Sequence, residues 1–184
     1  MASVVDQAKT QMEKTLESTK ENFSGIRTGR ANPSFLNDIV VDYYGAPTPI
    51  KALASISVPE PRTLAVTPFD ISQAAAVEKA IRDSDLGVNP SRDGNVIRVT
   101  MPELTEERRK DYVKLAKTKA EDGKVALRNI RRKTKEGIEA NVKDGELSED
   151  EGDRLQKDLD ALTKQMSTQI DQLLESKQKE ILEV

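Results

Sequence analysis

The sequence predicts an α+β protein, a long antiparallel three-helix bundle with a small α/β module inserted between its first two helices. Three observations carry that prediction. Apolar residues recur at spacings of three and four over three long windows, and a proline-punctuated stretch of short apolar runs separates the first window from the second. The third is composition: 184 residues are 33% charged, 36% hydrophobic and only 3% aromatic, the balance of amphipathic helices rather than of a core built around large rings.

The first helix is expected over residues 3–28. Ser3 with Asp6 three positions on is a capping box, and Val5, Ala8, Met12, Leu16, Thr19, Phe23 and Ile26 form one apolar stripe. Gly29 is the expected terminator, ahead of Asn32-Pro33, which a helix would not cross. The next stretch changes character. Phe35 to Tyr43, Ala54 to Val58, Leu64 to Phe69 and Val96 to Val99 read as strands, punctuated by Pro47, Pro49, Pro59, Pro61, Pro68 and Pro90. One helical window, Ser72 to Asp83, carries Ala75, Ala76, Val77, Ala80 and Ile81.

The second long helix begins after Met101-Pro102, where Thr105 can cap and Glu106 and Glu107 suit the first turn. Tyr112, Ala116, Ala120, Gly123, Leu127, Ile130, Thr134, Ile138 and Val142 continue its stripe to Lys143, a rod of about 58 Å. Gly123, which costs about 1 kcal/mol inside a helix, is expected to permit close helix packing. After a short break, Ser148 through Glu151 form another capping box. The third helix then carries Leu155, Leu159, Leu162, Met166, Ile170, Leu173 and Ile181; so short a turn makes the two long helices antiparallel.

Residues 1–30 and 105–184 are thus assigned to the bundle and 31–104 to the inserted domain. Each crossing between them holds a proline. Ala31, Asn32 and Pro33 on one side and Met101 and Pro102 on the other are expected to act as paired hinge linkers, which permit limited motion without free tumbling.

What is missing bounds the chemistry. With no His and no Cys, the chain has no thiol nucleophile, no Ser-His-Asp triad, no ordinary zinc site and no disulfide. No phosphate-cradling glycine loop, dinucleotide fingerprint or nucleophile elbow occurs. The acidic run Glu146 to Asp153 fails the Ca²⁺-loop pattern, because Leu147 falls at the first ligand position when Gly152 is taken as the loop glycine. Neither enzymatic activity nor a cofactor or metal is expected. The opening residues lack the order of a secretory leader and no apolar run approaches about 18 residues, so a soluble cytoplasmic protein is expected, with no membrane partner. A coiled-coil adaptor for other proteins would need exposed apolar residues along the rod, and one stripe per helix leaves few.

The net charge of −3 conceals a polarised chain. Residues 105–135 carry +7 and residues 136–184 carry −8. Positions 110, 114, 117, 121, 124, 128, 131 and 135 make one stripe in which all but Glu121 are Lys or Arg. The plain reading is a solvated face with ion pairs to the acidic third helix. The cluster Arg128-Asn129-Ile130-Arg131-Arg132 points further, since forked guanidinium donors suit phosphate oxygens, and with no acid inside it, pairing within the helix is not expected to neutralise it. Without interleaved aromatics for base stacking, structured RNA recognised by shape and phosphates is the expected target.

Five segments then match something specific. Residues 26–33 (Ile26-Arg27-Thr28-Gly29-Arg30-Ala31-Asn32-Pro33), 42–50, 84–90, 104–109 and 128–133 resemble the signature segments of the bacterial ribosome recycling factor family, in order and over nearly the whole chain. The resemblance implies an L-shaped, tRNA-sized molecule with a β/α/β module beside the three-helix bundle. It implies a translation factor that, with elongation factor G and GTP, disassembles the post-termination ribosome complex. The expected partners are large-subunit rRNA at the intersubunit face and elongation factor G, with no DNA, for a monomeric protein. The residues implied for rRNA binding are Arg128, Arg131, Arg132, Arg27 and Arg30, with Asn129, Lys117 and Lys124 as weaker carry-overs.

Overall fold

The computed structural model of the chain describes residues 3–183, so residues 1, 2 and 184 of the expected bundle lie outside the described residues. The chain divides into two units, one comprising the residues up to Arg27 with Glu106–Leu182, the other Thr28–Thr105 with Glu183.

The first unit is three helices. Helix α1, Val4–Ser24, opens on the predicted capping box: the Ser3 hydroxyl accepts from the Asp6 amide and the Asp6 carboxylate accepts from the Ser3 amide, both at 3.1 Å. It stops earlier than expected, at Ser24 rather than Gly29. Gly25 is the C-cap, its amide bonded to the Glu21 carbonyl at 3.2 Å, and the Ser24 hydroxyl turns back onto the same carbonyl at 2.7 Å. Glycine is the weakest helix former short of proline, and a serine at the end offers the backbone a competing partner. Ile26 is nonetheless buried beyond the helix end.

Helices α4, Glu106–Lys143, and α5, Glu149–Leu182, span about 57 and 51 Å at about 1.5 Å per residue. Gly145 at φ +77° closes α4: the Gly145 amide bonds the Val142 carbonyl at 3.1 Å and the Glu146 amide the Asn141 carbonyl at 2.9 Å. That left-handed cap suits glycine. Ser148 and Glu151 then exchange reciprocal cap bonds at 3.2 and 3.0 Å, so the acidic run is a turn and a capped helix start. Met12, Leu16 and Phe23 of α1 pack with Ala116, Ala120, Leu127 and Ile138 of α4 and with Leu159, Met166 and Ile170 of α5. The helices come close at two glycines. A Cβ on Gly123 would stand 2.6 Å from Thr19 Oγ1 and 3.1 Å from Ile170 Cδ1, and one on Gly152 would stand 2.5 Å from Val142 Cγ2. The close packing expected at Gly123 is thus present.

The second unit has its own core. A 3-10 turn, Pro33–Leu36, leads into β1, Val40–Tyr43, which pairs antiparallel with β2, Ala46–Pro49. A short helix α2, Ile50–Leu53, precedes β3, Ala54–Glu60, and β4, Thr63–Pro68; helix α3, Ala74–Arg82, precedes β5, Ser91–Asp93, and β6, Val96–Thr100. The larger sheet is antiparallel in the order β3-β4-β6-β5. Leu64 and Val66 alternate inward on β4 and Ile97 and Val99 on β6, meeting Val77 and Ile81 of α3.

Three local differences from expectation have physical reasons. The run from Phe35 is not strand at its start, because Asn32 Oδ1 accepts from the Ser34 amide at 2.9 Å and Pro33 begins a helical turn. The strand β2 contains Pro47 and Pro49, tolerated because β2 pairs on one side only. The three residues of β5 are polar and exposed, so no alternation announces them.

Candidate nucleic-acid interface

Helix α4 brings five of the predicted rRNA-binding residues onto one side. From Lys117 the steps of seven, four and three to Lys124, Arg128 and Arg131 return to nearly the same direction, and Arg132 lies about 60° to one side of Lys117. Asn129 is exposed but turned about 100° from Arg128.

The stripe has two differently occupied edges. On the edge toward α5, Arg131 Nε donates to Asp160 Oδ1 at 2.7 Å and the Lys124 ammonium pairs with Asp171. Residue numbers rise along one helix as they fall along the other in these pairs, which records the antiparallel register of α4 and α5. Along the middle, the Arg128 guanidinium donates to Glu121, two turns earlier on the same helix. This corrects the expectation that pairing within the helix would leave the cluster unneutralised: a separation of seven is as well aligned as four, and long side chains span it. Lys110 and Lys135 pair along the helix with Glu106 and Glu139 at 3.0 and 3.8 Å. Among the described residues, Lys114, Lys117 and Arg132 make no ion pair, and all three are exposed.

The remaining predicted residues are off this helix. Arg27 is half-buried at the end of the first unit's opening segment; Arg30 belongs to the second unit, where it pairs with Glu183. Two of the five expected hinge residues, Ala31 and Met101, are tied to the sheet. The Ala31 amide donates to the Pro61 carbonyl and the Met101 amide to the Arg62 carbonyl, both at 2.7 Å, and the Arg62 guanidinium returns to the Met101 carbonyl and to Glu103 at 3.0 Å. Met101 is buried with the second unit's core and Ala31 packs on it. Asp160 and Asp171, which engage Arg131 and Lys124, were not singled out individually by the sequence, the −8 of the last 49 residues being their only signal, whereas Glu121 was visible as the one acid in the stripe.

A three-helix bundle with a cation-lined helix and a separate antiparallel sheet unit spliced after its first helix defines an α+β class of two-unit proteins. The family model of the ribosome recycling factor matches residues 19–182. The ribosome-recycling factor of Bifidobacterium longum subsp. infantis is 78% identical over 182 residues, covering 99% of this chain and all of that protein. That of Streptomyces avermitilis is 60% identical over 178 residues, covering 97% and 96%. A solution structure of the ribosome recycling factor aligns with a TM-score of 0.71 at 41% identity, over 98% of this chain and 96% of that one. A second structure, of the T. thermophilus ribosome recycling factor and the E. coli elongation factor G bound to the E. coli post-termination complex, aligns at 0.63 with 44% identity, over 97% of each chain. The chain belongs to the ribosome recycling factor family.

Proposed function

We propose that this chain acts with elongation factor G and GTP on the post-termination ribosome, splitting it so that subunits and mRNA are reused. The observation that supports this most strongly is the full-length likeness to a recycling factor described together with elongation factor G on a post-termination complex. The chain works as a monomer in the cytoplasm and performs no bond chemistry of its own; GTP hydrolysis belongs to the partner.

In this reading the α4 face binds large-subunit rRNA at the intersubunit side. Arg132 and Lys117 are the first contacts, since they stand exposed and make no ion pair among the described residues, with Arg128, Arg131 and Lys124 exchanging their carboxylates for phosphates as they dock. Asn129 adds a neutral donor, and Arg27 and Arg30 supply further cations around the first crossing. The two crossings, Ala31–Pro33 and Met101–Pro102, form the hinge. The hydrogen bonds from Ala31 and Met101 to the β3–β4 turn anchor both crossings to the sheet unit.

Mixing purified post-termination ribosomes with the protein, elongation factor G and GTP tests the reading. Subunit splitting is expected only when all three are present. Splitting without the protein at the same rate, or GTP hydrolysis by the chain alone, contradicts it.

A further inference from the structure

Two cations of the α4 face are already engaged by α5 before any RNA arrives. Asp160 accepts from Arg131 and Asp171 pairs with Lys124, and these carboxylates are 58% and 55% exposed. A carboxylate offers a guanidinium two acceptor oxygens much as a phosphate does. Helix α5 therefore presents an intramolecular substitute for a polyanion, aligned by the same antiparallel register that packs the bundle.

We propose that Asp160 and Asp171 are built-in competitors for rRNA phosphate, weakening the complex and speeding its release. The proposal rests on the reading of α4 as the rRNA-binding face. A phosphate reaching Arg131 must displace Asp160, and because the pair is exposed the displacement is cheap and reversible. The effect is a tuning of affinity. A factor that acts once per recycling round and must then leave gains from such a set point.

The competition also alters salt dependence. Phosphate neutralisation releases counterions from RNA, but salt also screens the exposed intramolecular pair that a phosphate must displace. The slope of log affinity against log salt is therefore shallower than the number of phosphate contacts would give.

Binding of Asp160→Asn and Asp171→Asn proteins to purified large ribosomal subunits, measured across a KCl series, tests this. Asp158→Asn is the matched control, since Asp158 is exposed on α5, makes no ion pair among the described residues and loses the same charge. Asp160→Asn is expected to bind about 1.5- to fivefold tighter than Asp158→Asn, chiefly through slower dissociation, with a slope steeper by up to about one unit. Equal gains in the two variants would make net charge the cause and overturn the proposal. Weaker binding of Asp160→Asn would overturn it too, by making Asp160 a positioning residue for Arg131. The double variant Arg128→Ala, Arg132→Ala in the same titration separates the two ideas: wild-type affinity there defeats the rRNA face itself, whereas lost affinity there with no gain in Asp160→Asn defeats only the competitor role.

Discussion

Arg132 and Arg131 are neighbours in sequence and differ in what their loss should do. Arg132 makes no ion pair among the described residues, so Arg132→Ala removes a phosphate contact and little else. Hydrogen bonds to charged groups contribute about 1.5–3 kcal/mol, which predicts at least about a tenfold loss of affinity for the large subunit with thermal unfolding unchanged. Arg132→Lys should recover part of that loss, because an ammonium supplies the charge without the fork. Arg131→Ala should weaken ribosome binding and also cost stability, by no more than about 1 kcal/mol, through the exposed pair with Asp160. Equilibrium binding beside urea denaturation of the same preparations checks both expectations.

At the scale of a helix, α4 holds two interior glycines with opposite surroundings. Nothing lies within 4 Å of a Cβ built on Gly137, so Gly137→Ala is expected to stabilise by about 0.5–1 kcal/mol from helix propensity alone. At Gly123 the new methyl meets the stiff, β-branched Thr19 and Ile170, and overpacking of about 1–3 kcal/mol cancels or exceeds that gain. Urea midpoints of the two variants should therefore move apart. Ser148→Ala removes the cap of α5 and should cost about 0.5–2 kcal/mol in the same assay. The long helices were legible because their pattern repeats over many turns: each stripe position of α4 and α5 restates the same period, and capping boxes mark the starts of α1 and α5. The end of α1 was not, because the apolar stripe runs on to the buried Ile26, past the Ser24–Gly25 stop, so the period did not mark where the helix ends. Strand β5 was silent for want of any buried side chain, and β2 was masked by its own prolines. The cationic stripe could be read from spacing, whereas its pairing with Asp160 and Asp171 depends on the register between two helices, which no local pattern encodes.

Across the whole molecule, the cationic face of α4 and its carboxylate partners on α5 belong to one unit and the sheet to the other. The first is a bundle whose helices come close at Gly123 and Gly152 around one apolar core. The second is a sheet with its own core, into which the two crossing segments are hydrogen-bonded. In the proposed action the arginine face holds rRNA while elongation factor G drives the sheet unit. The claim on which this depends is that affinity for the ribosome resides in α4. The rate of subunit splitting, followed by light scattering with elongation factor G and GTP at limiting concentrations of this protein, tests it most directly. The Arg128→Ala, Arg132→Ala protein, fully helical by circular dichroism, is predicted to split post-termination ribosomes at least about tenfold more slowly than the wild type. An unchanged rate would contradict the account.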